Sequence, residues 1–245
     1  MRAVLALARI AGAVLHLLHG ALICAAVFPF LDATGRQRRV GWWSRRMLRV
    51  LGIALDTRGL PRGGSTLVVA NHISWLDILA INAVQPARFV SKADVRRWPL
   101  IGWLVASAGT LFIERERKRD ALRVVHQVAG ALGRGDTIAV FPEGTTSEGH
   151  DLLPFHANLL QAAIATETPI QPVALRFSDS REPVSRAAAY VGDTHLLRSV
   201  WSVVSASQMR ASIAWLLPVE TRHADRRALA ELVRGHIAAA LNVKE

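Results

Sequence analysis

The stretch Thr66-Leu67-Val68-Val69-Ala70-Asn71-His72-Ile73-Ser74-Trp75-Leu76-Asp77 decides how the chain folds. Its first part, Thr66 to Ala70, is a short apolar, β-branched run that reads as a buried strand. Ile78-Leu79-Ala80-Ile81 reads as the start of a helix. Between them a polar gap holds a histidine and a carboxylate. A histidine at the carboxyl end of a strand, with an acid nearby, is where α/β proteins commonly gather their chemistry. On one continuous helix His72 and Asp77 would point well apart, because neighbours are three or four positions apart. They meet only if the backbone turns between them. Ser74 as N-cap would give that turn, placing Asp77 at N3 and leaving His72 in the loop ahead. From these residues alone two readings stand open: a helix cap beside a polar loop residue, or a catalytic pair.

Outward from this stretch, short apolar runs alternate with helical patterns. Strands are expected at 66–70, 88–90, 110–113, 137–141, 170–177 and 188–191, with another at 212–217. Helices are expected at 76–84, 120–132, 158–166, 194–205 and 225–241. This interleaving predicts an α/β fold: a mixed, mostly parallel sheet flanked by helices.

The N-terminal part has a different character. Residues 1–31 are almost wholly apolar, and the run from Ile10 to Phe30 approaches the roughly 20 residues of a membrane span. Ala25-Ala26 would suit a signal-peptide cut, but nothing downstream looks secreted. His16 and His19 sit one turn apart, and packing is the expected role, not metal binding. A basic stretch follows, with Arg36, Arg38, Arg39, Arg45, Arg46 and Arg49 around Trp42 and Trp43. Its helical spacing fits an amphipathic helix in an anionic membrane interface, or a helix packed on the main domain. The Gly- and Pro-bearing loop from Arg58 to Ser65 ends this part. We therefore divide the chain into a membrane-associating helical segment, 1–58, and an α/β domain, 59–245. Arginines are denser after the apolar run than before it, which, if the run spans, would put the α/β domain on the cytoplasmic face of the inner or plasma membrane.

A net charge of +11 with only three lysines, Lys92, Lys118 and Lys244, favours an anionic partner. The apolar N-terminus points to a lipid surface instead of nucleic acid. Cys24 is the single cysteine, so no intrachain disulfide and no cysteine-based metal site is expected. No nucleophile elbow and no phosphate-binding glycine loop is present.

Further polar clusters fall at strand ends. Arg115 follows a strand in Gly109-Thr110-Leu111-Phe112-Ile113-Glu114-Arg115, and a guanidinium there can clamp phosphate. Phe141-Pro142-Glu143-Gly144-Thr145-Thr146-Ser147 is a tight loop rich in donors. Lys92 with Asp94 precedes Pro99 and Gly102. In order, Asn71-His72-x4-Asp77, Gly109-x-x-Phe112-Ile113-x-Arg115, Phe141-Pro142-Glu143-Gly144-Thr145 and Ile170-x-Pro172-Val173 resemble the four motif blocks of the glycerolipid acyltransferases, the 1-acylglycerol-3-phosphate acyltransferase family. The resemblance spans about residues 67–177.

It implies that His72 acts as general base on an acceptor hydroxyl, oriented by Asp77, with no covalent enzyme intermediate. Arg115, Glu143, Gly144 and Thr145 match the acceptor-binding positions, and Lys92 would assist electrostatically. No cofactor and no metal is implied. Acyl-CoA or acyl carrier protein (acyl-ACP) is the donor, and the acceptor is a lysophospholipid, foremost 1-acylglycerol-3-phosphate. Two positions depart from the family pattern. Thr146 stands where arginine is common, and Phe155-His156 replaces Phe-Lys. Both remove positive charge near the acceptor's head, which keeps lyso-ornithine lipid open as an alternative acceptor. The rival from another class is a non-catalytic membrane-binding module, which would leave the His72–Asp77 pair without a purpose.

Overall fold

The computed structural model describes residues 2–113 and 118–243. In chain order its elements are α1 (Arg2–Ala26), α2 (Ala33–Val50), β1 (Ala54–Arg58), β2 (Thr66–Ala70), α3 (Leu76–Val84), β3 (Arg88–Lys92), α4 (Ile101–Ser107) and β4 (Leu111–Ile113). α5 (Lys118–Gly133), β5 (Thr137–Val140), α6 (Leu160–Ala165), β6 (Ile170–Ser178), α7 (Leu196–Ser205), β7 (Arg210–Trp215) and α8 (Arg226–Leu241) complete the chain.

β2 is buried along its whole length, and its two-residue alternation divides the core. Val68 and Ala70 join Leu48, Leu51, Leu76, Ala80 and Val203 on one face of the sheet. Leu67 and Val69 join Val128, Leu132, Leu160, Ala163 and Val233 on the other. Successive strand side chains point to opposite faces, so a strand covered on both sides must be apolar throughout. Helices α2, α3 and α7 supply the first layer, α5, α6 and α8 the second. Each fully buried aliphatic side chain contributes roughly 1.5–3 kcal/mol, which fixes the strand ends that carry the site.

The sheet has seven strands in the order β1-β7-β6-β2-β5-β3-β4. β6, β2, β5, β3 and β4 run parallel, while β7 is antiparallel to β6 and β1 is parallel to β7. The sheet is therefore mixed and mostly parallel, as expected. Because their neighbours run the same way, β2, β5, β3 and β4 bring their carboxyl ends to one edge.

Three local expectations change. β1, which the sequence reading left inside the N-terminal segment, pairs with β7 and extends the sheet. α4 was not foreseen. Residues 188–191 form no strand: Ala188 N–H donates to Ser185 O at 3.2 Å and Tyr190 N–H to Ile73 O at 3.0 Å. Their apolar character reflects packing of Ala188 and Ala189 against the core, while the backbone bonds to the loop after β2 instead of to a ladder.

Of the two readings of the Arg/Trp helix, the structure shows packing on the domain. Gly41, Ser44, Met47 and Leu48 of α2 are buried, and Arg45 Nε donates to Ala83 O at the end of α3, 3.0 Å away. His16 packs as expected, stacked on Trp43 with ring centroids 5.0 Å apart, and its Nε2 lies 3.0 Å from Trp43 O. α1 has 25 residues and, among the described residues, is the one helix long and apolar enough to cross a membrane. It lies against α2 and α7 with Val4, Leu7, Leu15 and Leu22 exposed, which weakly indicates membrane association.

Candidate active site

β2 ends at Ala70, and the chain is at once sewn to its neighbour. Asn71 Nδ2 donates to Leu175 O at 2.9 Å, and its Oδ1 accepts from Leu175 N–H at 2.8 Å. The side chain thus continues the β2–β6 ladder by one step while the backbone leaves the sheet. His72 follows, free of regular structure but tightly held.

The turn between His72 and Asp77 forms differently from the serine cap expected. Ser74 does not cap α3: its hydroxyl is buried and has no partner among the described residues. Asp77 itself reaches back from the first turn of α3. One oxygen, Oδ2, accepts from Ile73 N–H at 2.7 Å and from Ser74 N–H at 2.9 Å. The same oxygen lies 2.7 Å from His72 Nδ1. Both N–H groups belong to the loop ahead of α3, and a carboxylate in the first helical turn also favours the helix dipole. The turn that brings the pair together is therefore made by the acid instead of the serine.

Asp77 is wholly buried, whereas the His72 side chain keeps 21% of its surface exposed. With Nδ1 facing the carboxylate, the imidazole is assigned the tautomer that protonates Nδ1 and leaves Nε2 as a base. The ring stacks on Phe141, centroids 4.0 Å apart and planes within 8°, and Phe141 continues onto Phe89. One face of the imidazole is thus fixed by an aromatic partner and one edge by an acid.

Glu143 sits at the end of β5, the strand beside β2. Its Oε1 accepts from His72 N–H at 2.6 Å and its Oε2 from Leu153 N–H at 3.1 Å. It is only 3% exposed. Burial pushes its carboxyl above the ordinary value, while the His72 and Leu153 N–H groups pull the other way. No oxygen of Glu143 is without a partner, so the structure places it as a brace on the His72 backbone. Ser147 completes the clamp, donating its N–H to His72 O at 2.8 Å.

Gly144 turns with φ +72, and its N–H donates to Phe141 O at 3.1 Å. A Cβ there would come within 3.2 Å of the His156 ring, and φ in this range favours glycine. Thr145 is exposed. The Thr146 hydroxyl donates to Tyr190 O, tying the β5 loop to the 188–191 segment. Lys92 ends β3 on the same edge, exposed, opposite Ile113 of β4. Arg115 lies two residues beyond β4, outside the described residues.

The structure thus joins His72, Asp77, Glu143, Gly144 and Thr146 into one constellation and leaves Lys92 and Thr145 at its rim. Phe141, Ser147 and Tyr190 also hold the site and were not foreseen as doing so. Aromatic stacking on Phe141 was legible in principle from its place at the end of β5. Tyr190 carried no signal, since it acts through its backbone. Among the described residues no three His, Cys, Asp or Glu side chains cluster as metal ligands would.

A histidine held by a buried acid stands at the carboxyl edge of a mostly parallel sheet. Comparison with known proteins gives the family. An acyltransferase family model matches residues 55–176. A lyso-ornithine lipid O-acyltransferase of Pseudomonas aeruginosa is 36% identical over 87% of this chain and 82% of its own length. A 1-acyl-sn-glycerol-3-phosphate acyltransferase of Neisseria meningitidis is 35% identical over 83% of this chain and 81% of its own. The chain belongs to the acyltransferase family. The crystal structure of the 1-acyl-sn-glycerophosphate acyltransferase of Thermotoga maritima shares the fold, with a TM-score of 0.73 at 20% identity over 98% of this chain and 96% of that one.

Proposed function

We propose that the protein moves a fatty acyl group from an acyl-CoA or acyl-ACP thioester to the free hydroxyl, at the second glycerol carbon, of a lysophospholipid. The foremost acceptor is 1-acylglycerol-3-phosphate, giving phosphatidic acid. The observation that carries this is the 2.7 Å contact between His72 Nδ1 and Asp77 Oδ2, which leaves Nε2 free at the sheet edge. In this scheme Nε2 takes the proton of the acceptor hydroxyl as its oxygen attacks the thioester carbonyl. The tetrahedral intermediate collapses, the C–S bond breaks, and the imidazolium returns the proton to the departing thiolate. The Asp77 carboxylate stabilises the imidazolium between the two steps. Imidazole suits both, with an unperturbed pKa of ~6.5, and such catalysis contributes roughly 10²–10⁴-fold.

Glu143 and Ser147 act as positioning residues by clamping the His72 backbone. Lys92, Thr145 and Arg115 are assigned to the acceptor's anionic head. Arg115→Ala should raise the acceptor KM far more than the donor KM; the opposite pattern removes Arg115 from the acceptor site. The enzyme works at the cytoplasmic face of the membrane, docked through α1.

A second acceptor reading rests on Thr146. That side chain is uncharged and already engaged with Tyr190 O, so the loop offers less positive charge to a phosphate. A lyso-ornithine lipid, with an amino-acid head, fits such a loop. A mass-spectrometric screen of lysophosphatidic acid against lyso-ornithine lipid, with each donor, separates the two. Diacyl product from lysophosphatidic acid is expected, and product from lyso-ornithine lipid alone would overturn the foremost acceptor.

A further inference from the structure

A second polar site lies away from the dyad, where the first turns of α1 meet the end of α7. Arg2 and Arg9 are seven residues apart and so share one face of α1. With Leu5, Ser205, Ser207 and Gln208 they line a hollow of about 170 Å³. Arg9 Nη1 donates to Val204 O at 2.7 Å and to Ala206 O at 3.2 Å, meeting carbonyls that α7 leaves open at its end. Its guanidinium lies flat on Gly52, where a Cβ would come within 2.3 Å of it. The fork is thereby held in place with only Nη1 spent.

The other donors around the hollow are uncommitted. Arg2 has no acidic partner among the described residues. Ser207 and Gln208 are the polar side chains beside it, while the Ser205 hydroxyl is closed to solvent and does not count among the available donors. Among the described residues no carboxylate lines the hollow. The nearby Asp179 is occupied, accepting from Arg181 N–H, Glu182 N–H and the Ser185 hydroxyl. Two guanidinium groups beside a hydroxyl and an amide, with no acid among the described residues, form a recognition set for a multi-oxygen anion such as phosphate. Beside it α1 presents Val4, Leu5 and Leu7, which are 70%, 52% and 59% exposed. A soluble phosphate has no use for that apolar flank, whereas a lipid carries its chains directly behind its phosphate.

We propose that this hollow binds the phosphate headgroup of an anionic membrane phospholipid, seating the start of α1 at headgroup level. The proposal rests on the membrane-docking part of the functional reading, but it concerns a site separate from the acceptor's. α7 links the two, since Trp75 Nε1 next to the catalytic loop donates to Ser199 Oγ at 3.1 Å. Ser199 and Ser205 are about 9 Å apart along that helix, at ~1.5 Å per residue.

The test is flotation of the full chain with vesicles of phosphatidylcholine alone, and of phosphatidylcholine containing phosphatidylglycerol. Wild type should bind both and prefer the second. Arg2→Gln and Gln208→Glu should each weaken binding to the phosphatidylglycerol vesicles about fivefold, with binding to phosphatidylcholine and acyl transfer to dispersed acceptor unchanged. The S207A variant leaves the charge alone and should also reduce the preference. If that variant keeps the full preference while R39Q, outside the hollow, lowers it as much as R2Q, the attraction is diffuse and the proposal is overturned. Inorganic phosphate abolishing the preference at low millimolar concentration, or a raised thioester KM in R2Q, would assign the hollow to a soluble ligand and overturn it too. Wild type that binds neither vesicle contradicts membrane docking itself. Wild type that binds both, with every variant unchanged, contradicts the headgroup site alone.

Discussion

The two halves of the catalytic edge are built on opposite plans. At the β2–β5 half the histidine is committed through its ring, its N–H and its carbonyl, although Ser74 Oγ and Asp77 Oδ1 have no partner among the described residues. At the β3–β4 half, Lys92 stands exposed with no acid near enough to pair among the described residues. A group that must transfer a proton gains from a single geometry, because small displacements of a base are costly in rate. A group that attracts an anion works through charge alone and tolerates freedom. The contrast predicts that substitutions in the first half damage turnover and those in the second damage affinity.

Asp77→Asn should have the largest effect. It presents an amide to groups that need an acceptor and favours the wrong imidazole tautomer, so kcat should fall about 10³–10⁴-fold. Acceptor KM should change little in the same assay. A fall in kcat below tenfold would mean that the acid is a cap and nothing more.

Glu143→Gln comes next, with kcat lowered by roughly 10–100-fold as the His72 backbone loosens. It also carries a pH signature. A buried carboxyl whose pKa is raised holds its proton more tightly folded than unfolded, so it contributes stability at low pH and loses it as pH rises through the folded value. Whatever the constant offset between the two proteins, the Tm of Glu143→Gln minus that of wild type should grow as pH rises from the ordinary 4.5 upward, then level. Thermal melts across pH check this, and a flat difference would show that burial does not govern the group.

Lys92→Ala tests the open half. The acceptor KM should rise about 3–10-fold with kcat nearly unchanged, and the effect should shrink as salt is added. A salt-independent loss of kcat would move Lys92 into the committed half. Thr146→Val is the smallest change. Losing the bond to Tyr190 O should cost about 1 kcal/mol of stability, seen as a fall of a few degrees in Tm.

The same contrast explains what could be read from the sequence. The strands around the site were legible because β2, β5 and β6 are buried on both faces and therefore appear as unbroken apolar runs. α3 was read to the residue, since its apolar content starts and stops sharply at Leu76 and Val84. His72 and Asp77 were legible as a pair, but the device that joins them was not. The sequence offers both a serine and an aspartate to make the turn, and only the fold shows that the aspartate takes the loop N–H groups. Glu143 was expected among the acceptor-binding positions; that its carboxylate also holds the His72 and Leu153 N–H groups depends on how β2 and β5 align. β1 escaped notice because its edge position leaves Ala54-Leu55-Asp56-Thr57-Arg58 half polar. Tyr190 contributes only backbone atoms, which no residue type announces.

The central claim is that the Nε2 of His72 accepts the hydroxyl proton during acyl transfer. Mass-spectrometric detection of diacyl product, from purified wild type and His72→Ala given a lysophospholipid and a thioester donor, tests it most directly. The account predicts product from wild type and a loss of at least ~10²-fold in the variant, with vesicle binding retained. Equal product from the two proteins would contradict it.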